Sequence, residues 1–372
     1  MKRRQNSGKY DPRWRRKKLF VVILLGFCVG ALMFMEMQYS GIRSLSLIAP
    51  PIIQKPKIAF LFIARNRLPL EDVWDAFFQG DKENKFSIYV HSRPGFLFNK
   101  ARTRSMYFLN RQVNESVQVD WGEASMIQAE RILIQNALMD PSNERFVFLS
   151  DSCIPLYNFS YTYNYIMATS KSFVDSFADT KQGRYNPKMH PLIPVEYWRK
   201  GSQWVVLNQK HAEIVMKDDT VFPLFQMHCK TKTLPEFWRE HSGPVDNSKE
   251  HNCIPDEHYV PTLLARELLE GQIVRRTLTH TSWNVPSSKS RERRGWHPVT
   301  YKLVDATPAL IQSIKAIDNI NFETENRKEW CTSKGRPAPC FLFARKFTRP
   351  AVQRLLNSSA LGVLPEETGQ AL

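Results

Sequence analysis

Residues 58–64 read IAFLFIA, seven positions without a polar side chain. A strand with one wet face alternates apolar and polar residues. A run this continuous predicts a strand covered on both faces, as in a parallel sheet between helices. Working outward, Leu70–Gln79 places Val73, Trp74, Phe77 and Phe78 on one helical face, with Gly80 as a stop. Phe86–His91 (FSIYVH) predicts the next strand. Trp121–Met139 predicts a helix, with Ile127, Ile134 and Leu138 in register and Pro141 just beyond. Arg145–Ser150 (RFVFLS) predicts a third strand, running into DSCIP at 151–155. Strand, helix, strand, helix, strand is the signature of an α/β domain with a parallel sheet of the nucleotide-binding kind. Ligands of such sheets sit at the carboxyl ends of the strands. Here those ends carry Arg65-Asn66-Arg67, His91-Ser92-Arg93 and Asp151-Ser152.

The second half is less regular. Ser202–Leu207 reads as a strand and Gln209–Lys217 as a short helix. Residues 229–252 form a polar, proline-punctuated loop. A helix starts at Pro255 and runs to Leu269, and two more cover Pro308–Ile317 and Arg349–Leu356. The tail beyond Asn357 carries no packing signal.

The 372 residues hold a net charge of +16, which raises nucleic acid or a membrane surface as partners. Nine of the basic side chains (Lys2, Arg3, Arg4, Lys9, Arg13, Arg15, Arg16, Lys17, Lys18) crowd into residues 2–18 beside one acid, Asp11. The adjoining stretch speaks against a nucleic-acid arm. Leu19–Met35 (LFVVILLGFCVGALMFM) has no charged residue and would rise about 25 Å as a helix, enough to span a thin early-secretory bilayer. Basic flanks stay cytoplasmic, so the remainder faces the lumen. The competing reading, a cleaved signal peptide, calls for a shorter apolar run and a small-residue cleavage site, and the run ends instead in Met33, Phe34, Met35. A buried core helix would show a polar face. The expected layout is a cytoplasmic tail at 1–18, a signal anchor at 19–35, a stem at 36–56 containing Pro50, Pro51 and Pro56, a lumenal domain at 57–356 and a tail at 357–372.

Cys28 lies in the span. Cys153, Cys229, Cys253, Cys331 and Cys340 would meet an oxidising compartment, and five is odd, so one is left over. Cys331 with Cys340, closing a short Gly/Pro-containing loop, is the first bridge expected, and Cys229 with Cys253 the second. Asn114, Asn158 and Asn357 each head an Asn-x-Ser triplet, the N-glycosylation pattern.

No GxGxxG, Walker, HExxH or GxSxG pattern occurs. Nor does an Asp-x-Asp pair follow an apolar strand. Ser150-Asp151-Ser152 occupies that slot, and one carboxylate with two hydroxyls is a poor divalent-metal site. No metal is expected.

Six blocks in order carry a resemblance: KIAFLF at 57–62, VDWGEAS at 119–125, FLSDSCIPL at 148–156, KGSQWVVL at 200–207, CIPDEHY at 253–259 and CFLFARKF at 340–347. Together they resemble the plant branch of the core-2/I-branching β-1,6-N-acetylglucosaminyltransferase family (glycosyltransferase family 14), over about residues 56–356. The resemblance implies a GT-A type fold, Rossmann-like with a parallel or mixed sheet flanked by helices. It also implies an inverting, metal-independent transferase using a UDP-sugar donor, with N-acetylglucosamine as one candidate sugar, in the Golgi.

By that resemblance Glu257 matches the catalytic base. A sugar hydroxyl attacks the donor's anomeric carbon and a carboxylate takes its proton. On the residues alone, Asp256 and Glu257 after Pro255 read as helix N-terminal acids stabilising the dipole, and Asp256 is taken as structural. Lys346 matches the diphosphate lysine, standing in for a metal as charge develops on the leaving UDP. Arg345 beside it either contributes or is solvated. The family's upstream arginine has no counterpart within 297–302, and Arg293, Arg294 and Lys302 are the nearby substitutes. Ala64, Arg65, His91, Ser92 and Arg93 are expected along the nucleoside. Asp151, Ser152, Ser202 and Trp204 are expected at the acceptor or donor sugar, with a core position as the other reading of Trp204. Trp121-Gly122-Glu123 reads as a helix entry.

The expected partners are a UDP-sugar, a glycan or glycoprotein acceptor and membrane lipid around the anchor, with no nucleic acid. A homodimer or a Golgi enzyme complex is left open. The alternative function is an inactive Golgi scaffold with the same fold. A sulfotransferase would need a phosphosulfate-binding loop that the sequence does not display.

Overall fold

A computed structural model describes residues 12–46, 55–120, 122–180, 184–229, 253–283 and 298–362. The expectations for Trp121, Arg293, Arg294 and most of the 229–252 loop fall outside these residues. The chain divides into two units, Met1–Gln54 and Lys55–Leu372.

The first unit is one helix, α1 (Pro12–Ser46). Its stretch Leu19–Met37 is apolar and long enough to cross a membrane, and none of it is buried. The helix continues into the expected stem as far as Ser46, because no proline interrupts the chain before Pro50.

The second unit is a mixed α/β domain. Its elements are β1 (Lys57–Ile63), α2 (Glu71–Phe78), β2 (Phe86–His91), α3 (Ser125–Leu138), β3 (Asn143–Ser150), β4 (Ile154–Pro155), α4 (Phe159–Met167), β5 (Ser172–Phe173), β6 (Phe177–Ala178), β7 (Arg199–Lys200), β8 (Val206–Asn208), α5 (Gln209–Lys217) and α6 (Val221–His228). Next come α7 (Pro255–Arg266), β9 (Ile273–Val274), β10 (Thr279–Thr281), α8 (Pro308–Lys315), β11 (Asn319–Phe322), β12 (Arg327–Trp330), β13 (Thr332–Ser333), β14 (Arg336–Pro337), β15 (Phe343–Arg345) and α9 (Val352–Leu356). A six-stranded sheet runs β2-β1-β3-β8-β5-β9 and a three-stranded sheet β10-β15-β4. β1 pairs in parallel with both β2 and β3, while β8 joins β3 antiparallel, so the sheet is mixed beyond its parallel half.

The unbroken apolar run of β1 has a direct explanation. Ile58, Phe60 and Phe62 point into one core, Ala59, Leu61 and Ile63 into the other. β3 divides likewise, with Val147 and Leu149 against Phe146 and Phe148. Burying each of the larger of these side chains contributes about 1.5–3 kcal/mol. On the first face α2 packs Trp74, Phe77 and Phe78 edge-to-face around Phe60. The Trp74 indole N–H donates to the Cys153 carbonyl at 3.0 Å, tying α2 to the turn after β3. On the second face lie α3, α5, α6 and α7.

The structure differs from the sequence reading at several points. α3 starts at Ser125 instead of near Trp121, because Gly122 takes a left-handed φ of 73° that no helix continues through. Residues 202–205 are not strand: Val205 N–H donates back to the Gln203 carbonyl at 3.1 Å, and β8 begins only at Val206. α7 ends at Arg266, three residues early, with Leu268 left-handed just beyond. The tail is not free of packing, since Ala360 and Leu361 are buried in the first core.

Cys331 is bonded to Cys340 and Cys229 to Cys253. Cys153 is buried and unpaired, and Cys28 is exposed on α1. Asn114, Asn158 and Asn357 are all exposed, and the Asn158 side chain caps α4 by accepting from Tyr161 N–H at 2.9 Å.

Candidate active site

A cleft of about 1780 Å³ opens at the carboxyl ends of β1, β2 and β3. Each strand delivers residues at or just past its end: Ala64 and Arg65 after β1, His91 and Arg93 at the end of β2, Asp151 and Ser152 after β3. Ser202 and Trp204 come from the turn before β8, Glu257 from the first turn of α7, and Arg345 and Lys346 from the end of β15. Residues distant in sequence thus share one cavity. Ser92 does not line it. Ser92 is fully buried, and its hydroxyl has no hydrogen-bond partner among the described residues.

Glu257 forms an ion pair with Lys200 of β7. Asp256, read from the sequence as structural, is also among the residues lining the cleft. Burial, then the neighbouring Glu257 charge, pushes its carboxyl up to about 7, and its Oδ1 has no hydrogen-bond partner among the described residues. Burial likewise raises Asp175, another lining residue, to about 7, against the pull of Lys200.

Arg345 is part-buried and lines the same cleft. Its guanidinium lies over the Trp204 ring and burial holds its pKa down. Lys346 is lowered by burial and then by Arg345. Burial raises Asp151, opposed by both cations. Trp204 is only 5% exposed within the second core, as the core reading expects, and it also lines the cleft. His91 is pushed toward the neutral form by burial, and its Nε2 accepts from Val117 N–H at 3.1 Å, leaving the proton on Nδ1.

Ser150 and Ser152 hydroxyls bond each other at 2.9 Å beside Asp151. Among the described residues no group of three or more His, Cys, Asp or Glu side chains is arranged to hold a metal ion. Lys302 is exposed and is not among the cleft residues.

The sequence reading missed Lys200, Asp175 and Arg184, all of which line the cleft. Lys200 sits in a charged pair, Arg199-Lys200, that reads as surface. Nothing in its spacing signals that β7 lies alongside α7. Gly201 is the one local clue, since a Cβ there would collide with the backbone carbonyl of Asp175.

Residues 58–315 match the family model described as Core-2/I-Branching enzyme. A curated relative, glycosyltransferase BC10 of Oryza sativa subsp. japonica, is 69% identical over 307 residues, covering 82% of this chain and 77% of that protein. Two solved structures of LgtC resemble the fold faintly. One is of an active-site mutant, at 9% identity and a TM-score of 0.29, covering 58% of this chain and 71% of that one. The other is of the galactosyltransferase with donor and acceptor sugar analogues, at 10% identity and a TM-score of 0.28, covering 58% and 72%.

Proposed function

The chain belongs to the Core-2/I-branching enzyme family and is a glycosyltransferase, and from that premise we propose that it moves a sugar from a UDP-sugar to a hydroxyl of a glycan or glycoprotein, with inversion and without a metal. The observation carrying this reading is that one cleft holds the Glu257 carboxylate and the Arg345 and Lys346 cations together. The acceptor oxygen bonds to the anomeric carbon from the face opposite UDP. Its proton passes to Glu257 and the bond from the anomeric carbon to the phosphate oxygen breaks. The electron pair leaves with UDP, whose charge Lys346 and Arg345 offset. Ala64, Arg65, His91 and Arg93 border the nucleoside, and Asp151, Ser152, Ser202 and Trp204 the sugars. The apolar stretch of α1 behind a basic N-terminus supports a type II signal anchor in the Golgi membrane, with the domain lumenal.

The test is to incubate the detergent-solubilised chain with a panel of UDP-sugars and glycan acceptors, with and without EDTA. Transfer that persists in EDTA and falls by about 10²–10⁴ in Glu257→Gln is expected. A strict Mn²⁺ requirement would refute the metal-free mechanism.

A further inference from the structure

The carboxylate of Glu257 is held from the side. Its Oε2 pairs with Nζ of Lys200, and the two side chains are only 18% and 19% exposed. The backbones are joined at the same level, with Gly201 N–H donating to the Glu257 carbonyl at 2.8 Å. One turn along α7, the Thr262 hydroxyl accepts from Arg199 N–H at 3.1 Å and lies 3.2 Å from the Arg199 carbonyl. β7 is therefore fastened along the first two turns of α7. Arg199 itself is engaged by Glu270 through two hydrogen bonds of 2.9 and 3.1 Å, away from Glu257. That leaves Lys200 as the cation of the pair that faces Glu257.

We propose that Lys200 is a positioning residue for sugar transfer: its ammonium holds one oxygen of Glu257 so that the other is presented to the acceptor hydroxyl. This rests on the reading of Glu257 as the base. A glutamate has three rotatable side-chain bonds, and one fixed oxygen removes most of the misdirected rotamers. When the acceptor oxygen bonds to the anomeric carbon, its proton lands on the free oxygen of Glu257. Gly201 is part of the device, because a larger residue would push β7 off the Asp175 carbonyl and carry Lys200 with it.

The test compares Lys200→Met, Lys200→Arg, Glu257→Gln and the Lys200→Met/Glu257→Gln double variant in the solubilised full chain. Thermal unfolding verifies folding, and Lys200→Gln replaces the Met variant if that one does not fold. Lys200→Met is expected to lower kcat for transfer at least about 10-fold while acceptor KM and UDP affinity stay within about twofold. Lys200→Arg should restore most of the rate. In the Glu257→Gln background, removing Lys200 should cost nothing further, since it acts through a group already disabled. A raised KM with kcat preserved, or an added loss in the double variant, would overturn the proposal and make Lys200 a substrate contact. Undiminished transfer by Glu257→Gln would instead remove the base assignment, and with it this role, a result legible separately from the Lys200 variants.

Discussion

The guanidinium of Arg345 lies 4.3 Å from the centre of the Trp204 ring. The indole comes from the turn before β8 and the arginine from the end of β15, so this contact joins the two sheets within the lining of the cleft. The ring face offsets part of the cost of burying the guanidinium.

Trp204→Leu should therefore weaken UDP binding. A buried cation–π contact contributes about 0.5–2 kcal/mol, so affinity should fall roughly 2- to 30-fold. Trp204→Phe, which keeps a ring, should lose less. Titration calorimetry with UDP measures both, and equal losses for the two variants would argue against the ring's electrostatic part.

Lys346→Ala should reduce transfer more than Lys346→Arg does, because the charge is needed where the phosphate leaves. Removal of one such stabilising group typically costs about 10²–10³ in kcat. Steady-state kinetics with a saturating donor reads this directly. An unchanged kcat in Lys346→Ala would exclude it from leaving-group stabilisation.

Glu257→Gln should cut transfer by about 10²–10⁴ while leaving UDP affinity near wild type, since a general base acts on the acceptor. Chelation by EDTA should alter neither protein. Parallel rate and binding measurements check both points.

Asp256 links the site to pH. Its folded pKa is raised to about 7 by burial and by Glu257. An unfolded aspartate titrates at about 3.9. Between these values the folded state holds a proton that the unfolded chain has released, so this group's contribution to stability declines as pH rises toward the folded value. Asp256→Asn should raise the thermal midpoint at about pH 8, with the gain shrinking toward about pH 4. A gain of equal size at both pH values would contradict the assignment.

The Cys331–Cys340 bond closes a short loop whose end is fastened by Arg276, which donates to the Cys340 carbonyl at 2.7 Å. For a loop of roughly ten residues, chain entropy gives about 2–3 kcal/mol. The double Cys→Ser variant should lose that much in denaturant unfolding of the α/β unit.

Sequence by itself determined the α/β core. The two-sided burial of β1 and β3 and the apolar faces of α2 and α3 are local patterns, because backbone geometry turns burial into a period of two or 3.6 residues. The apolar run at 19–35 and the block order that placed Glu257 and Lys346 were equally legible. Lys200, Asp175 and Arg184 were not, nor was the end of the 202–205 turn. Their roles depend on β7 returning beside α7, and charged residues in short connections carry no period to announce it. Tertiary structure alone decided that Glu257 has an ammonium at its side and that Trp204 lies beneath Arg345. Those pairings are made across long gaps in the chain, where packing of whole elements chooses the neighbours and local sequence does not.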